Sequence, residues 1–212
     1  MCDFFEEAWA EREEKVYKSF FPNMPETIIT PIDPSKVAIG GEILVLSCAG
    51  VFEIPPTMDK KYWAYITSGL SNPFGDEPEE TSGFGLELLI RVPEQSPWAI
   101  NFLFNLMGYI FETQNPFDKG DRMPLNGPIL AGSDSALNTV LFWPPEDLNN
   151  SFQLKSGSVQ LLEVMGITED EYQFAKKSSS EALYQELKKL PNFPITDVNR
   201  NTCFEKKSKR LV

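Results

Sequence analysis

A chain of 212 residues, 42% hydrophobic and 24% charged, has the size and composition of one packed domain rather than of a disordered or fibrous protein. Its formal charge of −12 argues against nonspecific nucleic-acid binding, which needs a basic surface. It contains no histidine, which removes Ser-His-Asp and Cys-His nucleophile activation, H-E-x-x-H zinc sites and the usual proton shuttle at neutral pH.

From Asp3, "DFFEEAWAEREEKVYKSFF" places Phe5, Trp9, Arg12, Val16 and Phe20 at helical spacing, which predicts an amphipathic helix over about 3–21 that Pro22 stops. "ETIITPID" and "GEILVLSC" read as strands, and "YWAYIT" and "FGLELLIRV" continue the sheet. In the last of these, Phe84, Leu86, Leu88 and Ile90 share one face, and Glu87, Leu89 and Arg91 leave the other mixed. Between these two strands, "SGLSNPFGDEPEETSG" is a surface loop by composition and carries Asp76, Glu77, Glu79 and Glu80.

Ser96-Pro97 opens a helix that runs to about Gln114 and is apolar on nearly every side, as expected of a central helix covered on more than one face. "NTVLFW" and "VQLLEV" are further strands, and "TEDEYQFAKK" is a helix with a capping box at Thr168 and Glu171. "SEALYQELKKL" is the last helix, ending at Pro191. No repeat or linker divides the chain, so one α+β domain over 1–212 is expected, with its core at about 25–200. The stretch from Asn199 to Val212 holds five basic residues and one acid and reads as a short solvated tail.

The longest apolar runs, Ile43 to Phe52 and Ala99 to Phe111, fall short of the roughly 20 residues of a membrane span. The start lacks the pattern of a secretory signal, so a cytoplasmic location is expected. Cys2, Cys48 and Cys203 are odd in number and far apart, which reads as reduced thiols. No catalytic residue, cofactor or metal site is expected.

"TSGFGLELLIRV" brings two glycines to the mouth of an apolar run. They enter a strand rather than a helix, no Gly-Lys-Ser/Thr ending follows, and "TSGLSN" is not followed by the second glycine of the nucleophile-elbow pattern. Gly83 and Gly85 therefore read as positions of positive φ or close backbone approach.

Taken in order, "YWAYITSGLSNPFG", "ETSGFGLELLIRV", "PWAINFLFNLMGYIFETQNPFDKGD" and "SVQLLEVMGITEDE" resemble the suppressor-of-fused domain family across about residues 40–200. The resemblance implies an α+β domain, with a mixed, largely antiparallel sheet packed with helices, that binds protein rather than catalyses. In animals the family member sequesters a transcription factor by clamping a short peptide. Bacterial relatives are single-domain, many proposed as immunity proteins that neutralise toxins, and this chain has their size. The family's peptide-contacting tyrosine and aspartate match Tyr109 and Asp121.

The leading expectation is thus a non-enzymatic immunity-type protein holding a cognate toxin through an acidic surface, with contacts at Asp76, Glu77, Glu79, Glu80, Asp118 and Asp121. The alternative is a regulatory adaptor that captures a linear peptide, for example by strand addition to an open sheet edge. A carboxylate-only enzyme is the third. A protein partner is expected, with neither nucleic acid nor membrane; partner identity and oligomeric state stay open.

Overall fold

The computed structural model describes residues 3–31 and 49–204. Its branched and aromatic runs alternate along one seven-stranded sheet: β1 (Gly50–Ile54), β2 (Trp63–Ser68), β3 (Thr81–Val92), β4 (Arg122–Pro124), β5 (Leu137–Trp143), β6 (Ser151–Leu154) and β7 (Gly157–Thr168). The spatial order is β1-β2-β3-β7-β5-β4, with β6 paired to β7 off that path. β3 and β7 are parallel and every other pair is antiparallel, so the sheet is mixed and largely antiparallel, as expected.

Alternation gives the sheet two apolar faces. On one, Val51, Tyr65, Leu86, Leu88, Ile90, Phe142, Leu162 and Val164 pack beneath the helix Pro97–Thr113. On the other, Phe52, Ile54, Ala64, Ile66, Leu89 and Leu161 lie under the N-terminal helix, and Leu141, Trp143, Met165 and Ile167 under two C-terminal helices. Each such fully buried aliphatic side chain stabilises the fold by on the order of 2 kcal/mol.

The N-terminal helix starts as α1 (Asp3–Ala10), becomes π-helical over Glu11–Tyr17 and finishes as the short turn α2 (Lys18–Phe20). Helix α3 (Pro97–Thr113) ends on Gln114 in the left-handed conformation, φ 56°. Ala99, Leu103, Leu106, Met107 and Ile110 are its buried residues, whereas Trp98, Phe102, Phe104 and Tyr109 are only half-buried. Its contacts run to β1, β2 and β3. Phe111 also meets Phe84 and Tyr109 meets Phe117, so cover beyond the sheet-facing side is partial among the described residues. Helices α4 (Glu169–Lys177) and α5 (Ser180–Leu187) follow β7, and the capping box of Thr168 and Glu171 is present.

Other differences are local. "ETIITPID" contributes only a bridge from Ile29 to Val51 among the described residues, and "GEILVLSC" lies outside them. β4 and β6 have no counterpart in the sequence reading; at three and four residues they are held by their partners rather than by a pattern of their own. The tail is not merely solvated. Arg200 donates to both carboxylate oxygens of Glu171 at 2.7 Å and to the Gly166 carbonyl at 2.7 Å.

Candidate protein-binding site

Tyr109, Asp118 and Asp121 converge where α3 ends and the chain turns into β4. The Tyr109 ring stacks on Phe117, centroids 5.5 Å apart, and Phe117 stacks on Phe142 of β5 at 3.9 Å. This aromatic pile seats the next residue, Asp118, at the start of a tight turn. The Asp118 carbonyl accepts from Asp121 N–H at 3.0 Å, and Asp118 N–H donates to Asp121 Oδ2 at 2.8 Å. Asp121 is exposed, and its second oxygen, like the Tyr109 hydroxyl, has no hydrogen-bond partner among the described residues. The turn thus presents a braced carboxylate with an open acceptor beside an aromatic surface.

Residues that the sequence reading missed hold the turn in place. Gly120 (φ 89°) donates its N–H to the Phe142 carbonyl at 2.8 Å, and its own carbonyl accepts from Ser180 Oγ of α5 at 2.6 Å. Lys119 lies 4.5 Å from the centre of the Trp143 ring and 3.8 Å from Glu181. Trp143 in turn stacks on Tyr184. The fixed position of the turn therefore depends on α5, 60 residues away in sequence, a dependence no local pattern reveals.

The structure does not gather all the predicted acids into one patch. Asp76, Glu77, Glu79 and Glu80 are exposed, and their loop is tied to the start of β7: Glu79 N–H donates to the Ser156 carbonyl and Ser158 N–H to the Glu80 carbonyl. The 118–121 turn is tied to Phe142, which pairs with Val164. Six residues of β7 separate these two anchor points, about 20 Å of strand. Phe74, 48% exposed, leans edge-on against Phe84, which meets Phe111 of α3.

The segments "TSGLSN" and "SGFGLEL" build a buried polar hub instead of a ligand site. Glu87 Oε1 accepts from Gly69 N–H, Ser71 N–H and Ser71 Oγ at 2.7–2.9 Å, and Oε2 accepts from Thr67 Oγ1 at 2.5 Å. Arg12 reaches in from the π-helical stretch and donates to Ser71, Asn72 and Ser68, with Glu87 3.6 Å away. A Cβ on Gly83 (φ 56°) would stand 2.3 Å from the Asn72 carbonyl oxygen, so the expected close approach is real. The one sequence signal for this hub is Arg12 itself, a cation within an apolar helical stripe.

Two further buried carboxylates titrate in opposite directions. Burial pushes Glu163 up to about 8, with Arg91 only partly offsetting it at 3.3 Å. Burial also acts to raise Glu171, but hydrogen bonds and charge from Arg200 outweigh it and leave the carboxyl below its ordinary value. Among the described residues, no group of three or more His, Cys, Asp or Glu is placed to hold a metal ion, and no helix is long and apolar enough to cross a membrane.

The chain is thus an α+β domain with helices on both faces of an open mixed sheet and a braced acidic turn at one sheet edge. The chain belongs to the Suppressor of fused protein (SUFU) family, whose model matches residues 42–201. It is 28% identical over 163 residues to the human Suppressor of fused homolog, covering 68% of this chain and 33% of that protein, and equally to the mouse homolog. It thus spans about a third of the length of the curated relatives it matches. A solved Neisseria gonorrhoeae SUFU homolog superposes with a TM-score of 0.68 at 18% identity, covering 97% of this chain and all of that one. Drosophila Suppressor of Fused superposes at 0.63 with 20% identity, covering 74% of this chain and 42% of its own. A chain of the solved Sufu–Fu complex also gives 0.63, at 21% identity, over 74% of this chain and 77% of that one. These structures share the fold.

Proposed function

We propose that the protein binds an extended segment of a partner protein at the edge formed by β4 and the 118–121 turn, and regulates that partner by occupying it. The observation that carries the reading is the open acceptor of Asp121, braced by Asp118 N–H and set beside the Tyr109–Phe117–Phe142 stack. Both named positions match the peptide-contacting residues implied by the family resemblance. The existence of a Sufu–Fu complex for a relative favours a protein as the partner class.

A toxin-neutralising role rests on less. It draws on the charge of −12 and on the exposed acids at 76–80, and none of the relatives reported above is described as an immunity protein. The peptide-capturing role therefore leads.

Capture of partners from source cells by the tagged full chain, with cross-linking to locate the contact, tests the reading. Asp121→Lys should lower recovery of the cross-linked partner at least about tenfold, the loss expected when a charge-assisted contact is reversed. Its thermal midpoint should fall by no more than a few degrees, because the side chain is exposed and gives up a single hydrogen bond, from Asp118 N–H. Undiminished recovery, or cross-links confined to other surfaces, would remove this site. A short motif within the captured protein supports the adaptor role, and a folded toxin domain supports the other.

A further inference from the structure

Arg122 is the first residue of β4, the outermost strand, and pairs with Leu141. Leu141 belongs to the apolar cluster under α4 and α5, so the Arg122 side chain lies on that face. Its guanidinium carbon sits 5.8 Å from the centre of the Tyr172 ring of α4, and the Lys176 ammonium sits 5.3 Å from the same ring. Two cations thus share one aromatic ring. Neither has a carboxylate within ion-pair distance among the described residues, although Lys119, Lys155, Lys188 and Arg200 each do. One Arg122 nitrogen, Nη1, is sealed from solvent without a hydrogen-bond acceptor. A partly desolvated cation left this way is destabilised until an anion approaches.

The backbone beside it is open. The Asp121 carbonyl accepts from Phe142 N–H and Leu125 N–H donates to the Asn138 carbonyl, so these alternate residues face β5. By the antiparallel pattern, the N–H and C=O of Arg122 face outward. No strand covers that edge among the described residues. Pro124 offers no N–H and limits an added strand to a short pairing around Arg122. A residue opposite Arg122 on such a strand would stand on the same face, with Cβ atoms about 5 Å apart.

We infer that the bound segment places an aspartate or glutamate opposite Arg122, and that Arg122 and Lys176 receive its carboxylate over the Tyr172 ring. The inference rests on the binding reading above and names the chemistry of the ligand at that site. The guanidinium fork suits a carboxylate, and an opposite-charge cross-strand pair is the favourable one. In a chain of net charge −12, a cationic pair with no ion-pair partner among the described residues, set at an open edge, gives that face of the edge a definite preference.

Selection of displayed random heptapeptides on the full-length protein tests this. The wild type should enrich Asp or Glu at one fixed position at least about tenfold over its neighbours. Arg122→Gln and Lys176→Gln should each weaken that preference, and the double reversal Arg122→Glu with Lys176→Glu should replace it by Lys or Arg. An exchange of preference cannot come from a loss of folding. Peptides that depend on Asp121 but show no acidic preference would overturn this inference alone, and an absence of any selected peptide would overturn the binding reading with it. A selected peptide remade with phosphoserine at the acidic position should bind no more tightly; binding tenfold tighter would displace the carboxylate assignment.

Discussion

At the scale of single residues, the most consequential pair is Arg12 and Glu87, both fully buried. Glu87 accepts from four donors and Arg12 donates through its two terminal nitrogens to three acceptors, although its Nε has no partner, so the pair is bonded as a network rather than as a lone contact. Arg12→Ala removes the compensating charge and should cost about 3–5 kcal/mol, the range for breaking a buried pair on one side. Urea denaturation reads this directly, and a loss below about 1 kcal/mol would mean that the serines and Asn72 suffice without the cation. In the sequence, Arg12 appears within an apolar stripe and Glu87 on a mixed strand face. Their union was not legible, because burial of opposite charges 75 positions apart is a tertiary event. The glycines at 83 and 85 were legible: both have positive φ, a demand that local chain geometry makes.

At the scale of elements, α4 and β7 carry opposite pH dependences. Glu171 caps α4 and is bound by Arg200 and Cys203 N–H. Its folded pKa lies below its ordinary value of 4.5, so its stabilisation is complete above about that pH and is lost as pH falls through the folded value. Glu163, on β7, is raised to about 8. Its neutral form is the favoured one, so its contribution is present below about 4.5 and is lost as pH rises towards 8. Denaturation midpoints across this range should therefore show Glu163→Gln declining less than wild type between pH 5 and 8, and the penalty of Arg200→Gln shrinking as pH falls below 4.5. Parallel curves for wild type and both variants would contradict this. The capping box was readable from Thr168 and Glu171 at their fixed spacing, whereas Arg200 looked like part of a solvated basic run. Its capture by Glu171 depends on α4 and the chain beyond α5 folding against the same end of β7.

At the scale of the whole molecule, the class was legible and the order was not. Period-two alternation at 84–92 and the apolar helix at 97–113 declare an α+β domain by themselves. The parallel contact of β3 with β7 joins segments about 75 residues apart, and β4 owes its existence to β5, so neither has a local signature. The same ordering decides the site. It places β4 outermost, turns Arg122's backbone outward and links Tyr109 to the 118–121 turn through Phe117, whereas the acids at 76–80 end up at the far end of β7.

Hydrogen exchange of the full chain, free and bound to its captured partner, tests that arrangement most directly. Binding at the β4 edge predicts slowed exchange at the Arg122 N–H and across residues 117–125, with the 76–80 loop unchanged. Protection confined to the 76–80 loop or the N-terminal helix, with 117–125 exchanging as in the free chain, would contradict it.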